Sequence, residues 1–196
     1  MFTMPNIRPK MIPTKGLPLW SRAWAVLTSV RRWQMVEDWT FKLPNGIEIV
    51  IPQGFEFDGA SIPKPLYFLA GLVLVLLIIG IEISAVLMLL LAIFFMSAGL
   101  MLSPVGIMLV AGIVHDFAYS YGYLWRYSNG QLVKYKYGKG SRWDWDDLFR
   151  EVNYQVNGAI YSDYLATGLL KMFGGIAWSE ARRKQAKEIR PAPPQK

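Results

Sequence analysis

Large apolar side chains begin to alternate with polar ones at residue 33. Val36, Trp39, Phe41, Ile47, Ile49 and Ile51 are β-branched or aromatic, and the turn residues Leu43-Pro44-Asn45-Gly46 interrupt them. This pattern predicts strands over 33–57 folded about a hairpin, because Asn-Gly tolerates positive φ. Gly and Pro then break the alternation over 52–63. From 65 to 114 polarity almost vanishes, and Glu82 is the only charged residue. A membrane span needs about 20 such residues, but one straight helix over 66–102 overshoots a bilayer. Gly80 and Glu82 near the middle fit either a helical hairpin turning there or one tilted span carrying a buried glutamate. A hairpin buried in the core is the third arrangement, but so short a chain has little surface to cover it. Arms of about fourteen residues at about 1.5 Å each reach about 20 Å, short of the ~30 Å hydrocarbon layer. A membrane-dipping or oligomer-forming hairpin over 70–100 is therefore expected.

Beyond the apolar run, Ser103 and Pro104 suit a helix start, which predicts a helix over 104–121. Residues 122–140 read as a loop or short hairpin around Ser128-Asn129-Gly130. Ser141 and Asp144 form a capping-box pattern that opens a second helix. A third is predicted over 162–187, weakened at Gly174-Gly175. At the other end, 1–18 is a basic, Pro-rich extended arm. Residues 19–33 fit either an amphipathic helix with Arg22, Arg31 and Arg32 on its polar side or a surface segment packed on the domain. The predicted fold is α+β: an N-terminal β-hairpin or small sheet with about three helices. One domain spans 19–69 and 101–187, the apolar hairpin is inserted at 70–100, and 188–196 is a disordered tail.

Composition narrows the partners. Hydrophobic residues make up 53% of the chain, above the usual soluble share, which points to lipid or a large interface. The net charge of +7 suits anionic head groups or nucleic acid. Lys134, Lys136 and Lys139 interleave with Tyr135 and Tyr137 in a pattern that could stack on single-stranded nucleic acid. The eight Trp and ten Tyr read better as core and interfacial anchors, so nucleic acid is not the expected partner. Cysteine is absent, which excludes disulfides and thiolate metal sites.

Candidate chemistry gathers at 115–119, which holds the only histidine. On a helix His115 and Tyr119 share a face, and Asp116 lies about 100° away. A histidine base needs a carboxylate on its other nitrogen, and the adjacent Asp116 cannot easily fold back to supply one. The acid-rich helix start at 144–147 offers Asp144, Asp146 and Asp147, which leaves Asp116 for another task such as holding a hard cation. Each residue also has a plain structural reading. His115 could bond locally, Asp146 could complement a helix terminus, and Asp58 could make an Asp-Gly turn.

His-Asp-Phe-Ala-Tyr (115–119) followed by Trp-Asp-Asp-Leu-Phe (145–149) resembles the phospholipase A2 catalytic core, and most of all the lipase domain of parvovirus capsid proteins. That resemblance implies that His115 activates water, Asp146 orients the imidazole, Tyr119 hydrogen-bonds near it, and Asp116 binds calcium. The remaining calcium donors would come from Asp58 and Gly59 in Phe-Asp-Gly-Ala-Ser. The segments 54–66, 103–119, 142–149 and 171–178 also resemble a family of small uncharacterised bacteriophage and prophage proteins. Their pattern is roughly G-F-x-T-D-G-A-S-I-P, H-D-x-x-Y, R-x-x-A-D-x-x-F and F-G-x-x-W. Here Phe57 replaces the threonine, and the apolar run is an insertion relative to that family. The expectation is a phage-encoded, membrane-associated protein with a calcium-dependent lipid ester hydrolase site. It would work at a phospholipid bilayer, in the virion or at the host inner membrane. The alternative is a non-catalytic virion or tail component that penetrates membranes through its hairpin, as a homo-oligomer or with phage structural proteins.

Overall fold

A computed structural model describes residues 3–11, 15–22, 32–58, 107–158, 160–184 and 186–193. Their strands are β1 (Ile7–Pro9), β2 (Trp33–Met35), β3 (Trp39–Lys42), β4 (Glu48–Ile51), β5 (Glu56–Phe57), β6 (Leu124–Ser128) and β7 (Gln131–Tyr135). The helices after residue 106 follow the same numbering: α1 (Leu109–Tyr121), α2 (Arg142–Asn157) and α3 (Ile160–Lys184). The architecture is mixed α+β, with two small antiparallel sheets.

The larger sheet grows from two tight hairpins. In β3, Trp39 and Phe41 face the core while Thr40 and Lys42 face out, the alternation expected of a half-buried strand. Residues 43–46 turn the chain so that Phe41 lies opposite Ile49. Between β6 and β7 the turn is Asn129-Gly130, with φ of 52° and 76°. Two positive φ values match the twist of a two-residue hairpin, and Asn and Gly tolerate them best. Val50 of β4 pairs with Trp125 of β6, which joins the hairpins into one sheet of order β3-β4-β6-β7. The second sheet, β1-β2-β5, draws β1 from the N-terminal arm. The described residues 3–11 of that arm pack on the domain: Pro5 is buried, and the Trp39 indole donates to the Thr3 carbonyl at 2.7 Å.

α1 lies at the centre of the fold and touches β5, β6, α2 and α3. Its residues are buried almost all round, including Ile113, Val114, Phe117 and Ala118. A helix apolar on every side must be enclosed, which explains why its sequence merges into the apolar run before it. α2 is amphipathic instead, with Trp145, Leu148, Phe149 and Val152 turned inward. Its start is the predicted capping box: Asp144 accepts from the Ser141 backbone N–H at 2.8 Å, and its own N–H donates to Ser141 Oγ. Hydrogen bonds from Ser141 hold the Asp144 carboxyl below its ordinary pKa.

Several boundaries depart from the pattern-based reading. α3 starts at 160, runs unbroken through Gly174-Gly175 and stops at 184 rather than 187. Of the expected 19–33 segment, 19–22 and 32–33 are described; 19–22 are helical, and Trp33 sits in a strand rather than at the end of a helix. Residues 188–193, expected within a disordered tail, lie bonded along β6. α1 starts at Leu109, after a turn at 107–108, rather than at 104, while residues 103–104 themselves and the apolar hairpin at 70–100 fall outside the described residues. Among the described residues no helix is long and apolar enough to cross a membrane.

The capping box predicts a local stability effect. Ser141→Ala should destabilise the chain by about 1 kcal/mol in urea unfolding, and Ser141→Asp should restore most of it. No shift of the midpoint in Ser141→Ala would show that the box contributes nothing.

Candidate active site

Asp146 sits on the inner face of α2 beside Trp145, and both are fully buried. A buried carboxylate must be paired and hydrogen-bonded, and its partners come from α1. The Tyr119 hydroxyl donates to Asp146 Oδ1 at 2.5 Å. His115 Nε2 lies 3.0 Å from the same oxygen. Burial and the bond to Asp146 push the Tyr119 hydroxyl well above its ordinary pKa, so it stays a donor. With Oδ1 accepting from both, the proton on neutral His115 is assigned to Nε2, which leaves the lone pair on Nδ1. Nδ1 faces Asp116 Oδ1 at 3.7 Å, beyond a direct hydrogen bond.

The imidazole is also gripped by rings. Tyr119 lies against it with centroids 3.9 Å apart, and Phe149 meets it nearly edge-on at 5.5 Å. His115 is 5% exposed, while the Asp116 side chain is 21% exposed, so the site reaches the surface on the Nδ1 side. Burial acts to lower the His115 pKa, but Asp116 and Asp146 outweigh it and hold the value above the ordinary 6.5.

α3 closes the other side through residues that the sequence reading did not assign to the site. Gly174 packs so tightly on Tyr119 that a Cβ there would sit 2.8 Å from the hydroxyl oxygen. Trp178 meets the Tyr119 ring edge-on at 5.1 Å. Arg142 donates to the carbonyls of Leu170 and Lys171 at 3.4 and 3.2 Å, which ties α2 to α3. The same guanidinium stands 4.0 Å from Asp146 Oδ2, an oxygen with no hydrogen-bond partner among the described residues. Arg182 donates to the carbonyls of Ala118 and Tyr119 and lies over Trp178. Arg142, Gly174 and Trp178 fall inside the quoted phage-type segments. A sequence signal therefore existed, but their roles depend on helix packing.

The structure thus brings His115, Asp146 and Tyr119 together, with Asp116 on the open side. Asp144 serves the helix cap, and Asp147 pairs with Lys171 at 2.8 Å. Of the expected calcium donors, Asp58 is half-buried just after β5, and Gly59 lies outside the described residues. Among the described residues no three acidic or imidazole side chains cluster as a metal site. Comparisons with protein-family models, with curated proteins and with solved structures found no match to this chain.

Two predictions follow from this geometry. Gly-to-Ala exchange within a helix ordinarily gains up to about 1 kcal/mol. At position 174 the sign should reverse, with a loss of about 1–3 kcal/mol from overpacking against a hydroxyl that cannot retreat. Adding Tyr119→Phe should recover part of the loss, and additive losses in a double-mutant cycle would refute the close approach. The second concerns pH. The folded chain holds the His115 proton more tightly than the unfolded chain does. This contribution is therefore complete below the ordinary 6.5 and fades as pH rises through the folded value. The stability gap between native protein and His115→Gln should therefore narrow as pH rises above the ordinary 6.5 and through the raised folded value, and a widening gap would contradict it.

Proposed function

We propose that this chain is a phage-encoded, membrane-associated lipid ester hydrolase of the phospholipase A2 type. The observation that carries the reading is the His115–Asp146 pair, 3.0 Å apart at Nε2, with Tyr119 on the same carboxylate oxygen and Nδ1 turned to the exposed side. That arrangement suits a general base. His115 Nδ1 takes a proton from water as the water oxygen attacks the ester carbonyl. Asp146 steadies the imidazolium, and the same proton passes to the departing alkoxide as its C–O bond breaks. The products are a free fatty acid and a lysolipid. Tyr119 and Phe149 keep the ring in place through both transfers.

Calcium belongs to this proposal, with Asp116, Asp58 and Gly59 as its expected holders; when bound it would supply Lewis acidity toward the developing oxyanion. The apolar run at 70–100 fits the reading as an inserted membrane-dipping hairpin that brings the domain to its substrate. A second reading draws on the near-complete burial of His115 and Asp146. In that reading the triad only ties helices together, and the chain acts as a virion component in membrane penetration.

Full-length protein with phosphatidylglycerol vesicles and calcium should release fatty acid. His115→Ala should cut the rate by ~100-fold or more, the scale of a lost general base. Because the base form must first shed its proton, the rate should rise with pH through a value above the ordinary 6.5. Equal release by His115→Ala, or no release by the native protein with or without calcium, would favour the structural reading.

A further inference from the structure

The segment 186–193 runs extended across a row of aromatic side chains from α1 and β6. Trp125 and Tyr127 point to one face of the strand, and Tyr121 and Tyr123 continue the row toward α1. Every member donates to the segment. Tyr121 bonds the Lys187 carbonyl at 3.3 Å, Trp125 the Ile189 carbonyl at 2.8 Å, and Tyr127 the Ala192 carbonyl at 2.5 Å. Tyr123 donates to the Glu188 carboxylate at 2.9 Å. Lys134, opposite Trp125 on β7, reaches Glu188 at 2.5 Å and lies over the Tyr123 ring. Pro191 is buried, and the Ala192 N–H donates to Asp38 at 2.6 Å. Three of these bonds go to backbone carbonyls, which an extended peptide of many sequences could present. Selectivity therefore rests on one carboxylate facing Lys134 and one proline three residues later.

This is the chemistry of an aromatic groove that receives extended, proline-containing peptides. Tyr123 and Trp125 are only 8% and 3% exposed with the segment in place. Its departure would bare their rings beside the core, so the groove gains from having an occupant at all times. We infer that residues 121–127 with Lys134 and Asp38 form a peptide-docking groove, and that the segment 186–193 of a second copy of this chain is its ligand in trans. The complementarity that seats the segment in its own chain is identical between copies. Tethering gives the chain's own segment an effective concentration of about millimolar, so exchange is favoured where copies are crowded, as on a membrane or within an assembly. The inference does not depend on the reading of His115.

A charge swap tests it with full-length protein. Lys134→Glu and Glu188→Lys each set like charges face to face within one chain, whereas a mixture of the two restores opposite charges in both directions between chains. Co-capture of differently tagged copies should be at least tenfold greater for the mixed pair than for either variant with itself. The double variant on one chain should return to the native level. Amide exchange at Ala192 should be fast in each single variant alone and slow in the mixture and in the double variant. Equal capture in mixed and self pairs would overturn the proposal. So would slow exchange at Ala192 in the single variants, because the Lys134–Glu188 pair would then not seat the segment.

Discussion

One carboxylate, fully removed from water, sets the terms for the helical half of this protein. An unpaired charge at Asp146 would cost several kcal/mol, so α2 can settle only where α1 presents His115 and Tyr119 to it. The two groups are four residues apart and lie on one helical face. Meeting both fixes the rotation of α1 as well as its distance from α2. The third helix is then placed by contact with the same tyrosine: Gly174 leaves the hydroxyl just enough room, and Trp178 closes on its ring. The polar bond and the close packing therefore depend on each other. Without the bond to Asp146 the tyrosine could tilt, and with a larger residue at 174 it would have to.

That dependence shows which parts of the site could be read from the sequence. The hairpin at 43–46 and the capping box at Ser141 rest on local chemistry, so turn residues and cap spacing were sufficient to locate them. The meeting of His115 with Asp146 spans 31 positions; the need for a carboxylate that its neighbour could not provide narrowed the partner to Asp144, Asp146 or Asp147, and only the resemblance to the phospholipase A2 core singled out Asp146. The joining of β4 to β6 through Val50 and Trp125 left no such mark, because strand alternation says which face is buried and not which strand lies beside it. Gly174-Gly175 misled in the opposite direction. Intrinsic propensity marks glycine as a weak helical residue, whereas here its lack of a side chain is what lets α3 approach Tyr119. The C-terminal segment misled through composition. Its prolines and charges resemble a disordered tail, yet proline also pre-extends a chain for docking.

The site and the groove share one frame. The chain from 115 to 127 carries the buried pair at its start and the aromatic row at its end. The chain from 174 to 192 lies alongside and meets it in the same order. Gly174 and Trp178 lie against Tyr119, Arg182 bonds the carbonyls of Ala118 and Tyr119, Lys187 meets Tyr121, Glu188 meets Tyr123, Ile189 meets Trp125 and Ala192 meets Tyr127. The contacts advance together even though one strip passes from helix to strand and the other from helix to extended chain.

The change from helix to strand in the first strip occurs where the second strip touches it. α1 ends at Gly122, whose φ of 76° turns the chain into β6, and a Cβ there would sit 2.6 Å from Arg182 Nη1. A side chain at 122 would thus be strained in its backbone and would also collide with the arginine that caps the carbonyls of α1. Glycine at 122 and at 174 answers the same demand from opposite sides: two segments must run in contact past a tyrosine held by a buried charge. The few kcal/mol that such glycines cost the unfolded-to-folded balance are offset by the ring contacts, guanidinium bonds and carboxylate bonds that only this close approach allows.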